Sequence, residues 1–451
     1  MGDTLRAQLW PLPAAGVGLA IIAGVTLPRL DKRFQHDMPS WLREYLFGGN
    51  ADAARSVLEA IAGSLVTVTA LTFSLTVLTL QLASRQFSPR VLRTFTADRY
   101  VQTTLALFLA TFTYALTVLR TVRTDEDDVS GFVPQMSVTV AFLLALTSVL
   151  VLVLFLSHLA REIRVETMMS SVHSAARRTI ERVLPQQEEA EEGTAAPAGG
   201  RRGAPPEPPA DALPLMAGAS GFLTSVDEER LLKAAVEADA VLLIDRFPGS
   251  SLIAGTPMGA AWPRVGGPFS PGAGDRLAEA AAEAVSTGAE RTDAQDIAFG
   301  LRQLTDITVK ALSPGVNDPT TAVHALSHSS ALLCELARRD PGPRLLRDDD
   351  QRVRVVLRRP DLEDLLDLAV AQPMRYGADE PAVLARIGML LGEFAWTDTP
   401  GRQPLIDAAL GRLRATIDAQ DFHPAERLRL FELLQHVERA PAGQWSPSPI
   451  P

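Results

Sequence analysis

Hydrophobic positions crowd the first third of the chain in long unbroken runs. From Ile61 to Ala83 no charged residue occurs, a length that suits a helix crossing the ~30 Å hydrocarbon core of a bilayer. Further uncharged runs cover Leu9–Leu27, Val101–Leu119 and Met136–Leu156. Together they predict spanning helices at about 9–27, 57–84, 101–120 and 136–157, in a membrane domain over 1–160. A signal peptide competes for the first run. Pro11 and Pro13 within it, and Pro28-Arg29 after it without a small-residue cleavage site, favour a spanning helix instead. Beyond Leu156 the apolar spacing becomes helical and sparse (Val165, Met169, Val172, Ala176, Val183), interleaved with Arg and Glu. That pattern predicts a stalk helix over 161–185 that packs against copies of itself or against the following domain.

Residues 186–212 are Glu, Ala, Gly and Pro with almost nothing to bury, and read as a flexible linker. Shorter alternating patterns follow. Gly221–Val226 and Ala240–Asp245 read as strands around a helix capped by Asp227, and Phe247–Pro257 reads as a hairpin with glycine turns. From Asp275 the period is helical: Asp275–Thr287, Thr292–Leu312, Pro319–Arg338, Asp361–Gln372, Glu380–Trp396, Gln403–Gln420 and Pro424–Arg439, with one strand at Arg352–Leu357. The fold class expected is therefore mainly α: a four-helix membrane region, then a cytoplasmic α+β region with a small β unit (213–272), an α-rich domain (273–440) and a tail (441–451).

The second run is unusual for its hydroxyls. Thr69, Thr72, Thr76 and Thr79 recur at spacings of three and four and share one helix face, while Ser64, Thr67, Ser74 and Gln81 lie on the other side. Hydrocarbon offers such groups no partner, so each face calls for a protein neighbour or a wet path. Arg85 and Arg90 follow, with Ser88-Pro89 reading as the start of a short helix to Phe95. The loop holding Arg85, Arg90, Arg93 and Arg99 is basic, whereas Asp125–Asp128 makes the next loop acidic. The bias of positive residues to the inner side then puts both termini in the cytoplasm, although five basic residues between the first two helices fall on the opposite side.

Composition narrows the function classes. The chain has 451 residues, a net charge of -10 and one cysteine, Cys334. The acidic balance argues against nucleic acid as a partner. The lone cysteine excludes an internal disulfide framework and a cysteine-based zinc site. His324 and His328 have the i, i+4 spacing of helix-borne metal ligands, but no glutamate follows His324 and no third ligand stands nearby in the sequence, so no metal or other cofactor is predicted. Asp348-Asp349-Asp350 lacks calcium-loop spacing. No phosphate loop and no nucleophile elbow is present, and the chain does not read as an enzyme. Asp296, Arg302, Asp306, Asn317 and Asp318 form a polar cluster over one helix and the turn after it. It is either an ion site or, more simply, helix-fixing ion pairs with Asn317-Asp318-Pro319 capping the next helix.

Two stretches carry a resemblance. One is Thr292-Asp293-Ala294-Gln295-Asp296-Ile297-Ala298-Phe299-Gly300-Leu301-Arg302-Gln303-Leu304-Thr305-Asp306-Ile307, continued by Ala311 to Ala322 through Ser313-Pro314-Gly315-Val316-Asn317-Asp318-Pro319. The other is Leu71–Thr76 through Gln86-Phe87-Ser88-Pro89-Arg90, together with Phe112-Thr113-Tyr114. With these the chain resembles the bacterial membrane proteins grouped as the domain of unknown function 2254 family. The resemblance implies a multi-pass inner-membrane protein with a cytoplasmic C-terminal region, and implies no activity. The readings that remain open are a homo-oligomeric channel or transporter for a small ion or solute, lined by helix two, and a membrane-anchored sensory or scaffolding protein whose cytoplasmic domain binds a ligand or partner.

Overall fold

A computed structural model describes residues 10–34, 46–86, 99–123, 132–162, 164–184, 205–339, 341–397 and 403–440. The chain forms two compact units, Met1–Thr167 and Met168–Pro451, each with its own core.

The first unit holds α1 (Pro11–Phe34), α2 (Ala51–Gln86), α3 (Arg99–Leu119) and α4 (Gln135–Glu162). All four are long and apolar enough to cross a membrane. The helices outrun the apolar segments that predict them, because hydropathy marks where lipid ends rather than where hydrogen bonding ends. Thus α1 continues through Arg29, Asp31 and Lys32, and α2 starts at Ala51, where the Asn50 side chain accepts from the Ala53 N–H at 2.9 Å. The short helix expected at Arg90–Phe95 lies outside the described residues.

Successive helices alternate in direction. Thr111 of α3 meets Ser148 of α4 at 3.3 Å, Tyr100 stacks near His158, and Arg55 at the start of α2 donates to the Val122 carbonyl just past α3. Helices α1 and α3 run parallel and close together. A Cβ on Gly24 would lie 2.7 Å from the Thr117 Cβ, and one on Gly16 would lie 3.1 Å from the Ala106 carbonyl oxygen. Gly16, buried Ala20 and Gly24 fall at every fourth residue, and small side chains at that spacing let two backbones approach inside a membrane. One carboxylate ties the helices end to end. Buried Asp31, near the end of α1, accepts from the Met136 N–H (3.1 Å), the Ser137 N–H (2.9 Å) and the Ser137 hydroxyl (3.0 Å). It thereby caps the first turn of α4, whose free N–H groups and positive dipole end suit an anion.

All but the first three residues of α5 (Val165–Val183) belong to the second unit, and its Met168, Met169, Val172, Ala176 and Ile180 are buried. The stalk packs against the following domain: a Cβ on Gly300 would lie 2.2 Å from the Ala176 Cβ, and the Thr179 hydroxyl donates to the Asp293 carbonyl at 2.8 Å. The strands are β1 (Leu213–Met216), β2 (Gly221–Val226), β3 (Ala240–Ile244), β4 (Ser251–Leu252), β5 (Pro257–Pro263), β6 (Val285–Gly288), β7 (Arg344–Arg347) and β8 (Val353–Leu357). The helices are α6 (Glu228–Glu237), α7 (Ala273–Ala284), α8 (Phe299–Ala311), α9 (Pro319–Arg339), α10 (Leu362–Tyr376), α11 (Pro381–Trp396), α12 (Gln403–Asp418) and α13 (Pro424–Val437). A five-stranded sheet has the order β1-β5-β3-β8-β7, and a three-stranded sheet the order β4-β2-β6. Among the described pairs only β3 and β8 are parallel. Leu215, Leu231, Leu242, Leu277 and Val355 share one core between the strands and α6 and α7.

Several local expectations change. The segment 247–257 is not a hairpin, since β4 pairs with β2 while β5 pairs with β1 and β3. The helix expected to reach Thr287 ends at Ala284, where Val285 and Thr287 join the edge of β2, as their β-branched side chains favour. The helix expected from Thr292 begins only at Phe299, because side chains before it are committed to other bonds. Both sheets take strands from either side of residue 272, and β7, unforeseen in the sequence, pairs with β8. Asp227 does cap α6, accepting from the Arg230 N–H at 3.0 Å.

Candidate functional site

The hydroxyl face of α2 points into the first unit. Thr72, Thr76 and Thr79 are buried and Thr69 is half-buried. Thr69, Thr76 and Thr79 donate to the carbonyls of Leu65, Thr72 and Leu75, at 2.6, 2.8 and 2.8 Å. Such bonds satisfy the hydroxyl within its own helix. The Thr72 hydroxyl is buried and bonds no described residue. Ser64, Thr67 and Ser74, across the helix, are exposed. Arg90 and the side chain of Arg85 lie outside the described residues. An apolar recess of about 480 Å³ opens between α1, α2 and α3, lined by Pro13, Val66, Thr69, Phe73, Leu109 and Phe112.

The polar cluster of the second unit divides on folding. Asp296 precedes α8 instead of sharing it with Arg302 and Asp306. Its carboxylate, almost fully buried, accepts from Arg291 (2.6 and 2.9 Å) and from the Ala298 N–H at 3.1 Å. Burial pushes this carboxyl above the usual range, against the opposing pull of Arg291. Gly249 lies against it with a left-handed φ of 94°, and a Cβ there would come within 2.2 Å of the Asp296 Oδ2. Asp318 acts as the cap of α9, accepting from the Thr321 N–H (3.1 Å) and hydroxyl (2.6 Å), which hold its carboxyl below the usual range. Asn317 before it takes the left-handed conformation, φ 50°, which asparagine tolerates.

His328 gains a neighbour that no spacing revealed: His173 of α5, with ring centroids 5.2 Å apart. Burial, then the charges of His173 and His324, lower the His328 pKa. Among the described residues no group of three or more His, Cys, Asp and Glu side chains could hold a metal ion.

The feature that sequence reasoning missed is a cavity of about 310 Å³ into which Arg182, Arg246, Arg344, Arg358 and Arg359 all project. These arginines are far apart in sequence, and folding converges them. Arg246 follows β3 and Arg358-Arg359 follow β8, so the parallel pairing of those strands sets three arginines beyond their shared carboxyl end; the Arg358 N–H donates to the Ile244 carbonyl at 3.0 Å. Arg182 comes from the end of α5, fixed by donation to the Asp293 carbonyl at 3.0 Å, and Arg359 donates to the Val183 carbonyl at 3.0 Å. Among the described residues Glu228 is the one carboxylate in the lining, and it pairs with Arg344 at 3.3 Å. Asp245 pairs with Arg358. Arg246 is exposed and donates to no acceptor among the described residues.

Part of the remaining wall is Ala294, Gln295 and Ile297. The Gln295 amide brackets β2, accepting from the Val226 N–H at 2.9 Å and donating to its carbonyl at 3.2 Å. The stretch that carries the resemblance is thus built into this cavity. Rigid guanidinium forks suit phosphate and carboxylate oxygens, which they can meet bidentately.

A family described as "Predicted membrane protein (DUF2254)" matches residues 6–393. "Uncharacterized protein Mb1321c" of Mycobacterium bovis and "Uncharacterized protein Rv1290c" of Mycobacterium tuberculosis are each 35% identical to the chain over 393 residues, covering 87% of it and 73% of the relative. No solved structure matches it. With four apolar helices and a match of this extent, the chain belongs to the DUF2254 family of predicted membrane proteins.

Proposed function

We propose that this protein is a membrane-anchored receptor: the first unit holds it in the bilayer, and the second binds an anionic, phosphate-bearing ligand in the cytoplasm. One observation carries the reading, the convergence of five arginines on one cavity with a single carboxylate among its described lining residues. Outside the carboxyl ends of parallel strands is where open α/β sheets bind ligands, and Arg246, Arg358 and Arg359 lead off those ends. The alternating helix directions and the basic loop around Arg90 support both termini lying in the cytoplasm of a bacterial inner membrane.

The hydroxyl face of α2 serves packing in this reading, since three of its four threonines bond their own helix. The conducting alternative has one observation in its favour. The exposed Ser64, Thr67 and Ser74 would meet their counterparts if copies of the chain formed a ring.

The test is equilibrium binding of pyrophosphate to the detergent-purified protein, with Arg246→Ala beside it. Saturable binding weakened at least tenfold by Arg246→Ala is expected; binding indifferent to that change would end the proposal. Ion flux through reconstituted vesicles, altered by Thr67→Val, would favour the ring instead. A C-terminal reporter active only in the periplasm would reverse the orientation.

A further inference from the structure

The arginine cavity has a neighbour. A second cavity of about 730 Å³ shares Arg246, Arg358 and Arg359 with it, and is otherwise walled by three prolines of 205–208, by Leu243 and Ala260, and by the carboxylates Glu207, Asp245 and Asp361, among others. The three guanidiniums therefore form a ridge with space on both sides, at the carboxyl end of β3 and β8. A single phosphate is too small for this arrangement: ligand sites of about 300–1,000 Å³ take whole metabolites. Resting on the reading above, we infer that the ligand is a nucleotide, with its phosphates on the ridge and its nucleoside in the second cavity.

The lining chooses between kinds of uncharged arm. An acyl chain would cover the exposed Glu207, Asp245 and Asp361 carboxylates with hydrocarbon, taking their water and offering no donor in exchange. A sugar brings hydroxyl donors and a base brings amine donors, both of which carboxylates accept. Asp361 already spends one oxygen on the Asp364 N–H at 2.8 Å, leaving the other for such a donor. Aromatic side chains are absent from the described lining of both cavities, so the planar surface available to a base is guanidinium, on which bases stack. The apolar remainder, Leu243, Ala260 and the prolines, covers the opposite face of the arm.

The two cavities make separate predictions for separate parts of the ligand. With the full-length protein in detergent, calorimetric titration compares pyrophosphate, ribose 5-phosphate, adenosine, ADP and GDP. At least one of the two nucleotides is expected to bind ten or more times tighter than pyrophosphate and ribose 5-phosphate, with adenosine alone weak. Ala260→Trp, which fills the second cavity, should bring that nucleotide down to the affinity of pyrophosphate while leaving pyrophosphate itself unchanged. Should Ala260→Trp fail to fold, photolabelling of the wild type with azido-ADP replaces it, and the label is expected on residues 205–208 or on β5. Pyrophosphate bound as tightly as both nucleotides, ribose 5-phosphate matching them, or a label lying elsewhere would overturn the nucleotide and leave the anion site standing. Binding of none of these anions would remove the anion site itself.

Discussion

The two units meet the same difficulty, a buried carboxylate, in opposite ways. In the membrane unit Asp31 is held by two backbone N–H groups and a serine hydroxyl at the start of α4, with no cation among its bonds. In the second unit Asp296 is held by a guanidinium and one backbone N–H. Threonines of the membrane helices turn back on their own carbonyls, as Thr104, Thr111 and Thr117 do at 2.7–2.8 Å, whereas arginines of the second unit reach across elements, as Arg339 does to the Leu184 carbonyl at 2.6 Å. Where water is scarce throughout, polarity is satisfied within a helix or at its end. Where solvent lies close by, long charged side chains can be used to join elements.

Four changes would break or sharpen that contrast. The largest effect belongs to Arg291→Met, which leaves the Asp296 carboxylate buried without its cation. Removing one partner of a buried pair costs about 3–5 kcal/mol, and chemical unfolding of the second unit should register it. A cost below about 1 kcal/mol would mean that the backbone alone satisfies Asp296, as it does Asp31. Next, Asp31→Ala should cost on the order of 2–3 kcal/mol by orphaning the first N–H groups of α4, with Asp31→Asn recovering part of the loss. Thermal unfolding in detergent distinguishes them, and equal melting of all three proteins would contradict the capping role.

A smaller effect, about 1–3 kcal/mol, is expected of Gly24→Ala, because its Cβ meets Thr117 and the helices must separate. Gly18→Ala, with nothing within 4 Å of its Cβ, should be neutral or stabilising by about 0.5–1 kcal/mol. Reversal of that order in the same melts would refute the α1–α3 contact. The smallest effect concerns acid. The Arg264 and Arg354 guanidiniums hold the Asp239 carboxyl down at about 2, and the Arg352 N–H with Arg354 lowers that of Asp348. An unfolded aspartate titrates near ~3.9, so the unfolded chain takes up these protons first. The stabilisation is present above about pH 4 and is lost as pH falls toward 2. Between pH 4.5 and 2.5 the Asp239→Asn/Asp348→Asn double variant should lose less melting temperature than the wild type; an equal loss would refute the linkage.

How much of this was legible in the chain differs between the units for a physical reason. Long uncharged runs announced all four membrane helices, since lipid demands continuous apolar length whatever the neighbours are. The Asp227 and Asp318 caps were legible because a cap is made within a few residues. The hairpin at 247–257 and the late start of α8 were not, because the backbone there is decided by β2 and by the Arg291–Asp296 pair. His173, meeting His328 from 155 positions away, left no local trace, and neither did the arginine cavity.

The amino-acid order by itself determined a region of four long apolar helices, a helix-rich region with short strands after it, and the family to which the chain belongs. These are properties of composition, period and short motif, each contained in a few turns of chain. Tertiary structure alone decided that Arg246, Arg358 and Arg359 stand on one ridge, because their convergence depends on β3 and β8 pairing in parallel across more than a hundred residues. It also turned the hydroxyl face of α2 inward, since the side of a helix that meets protein is fixed by its neighbours.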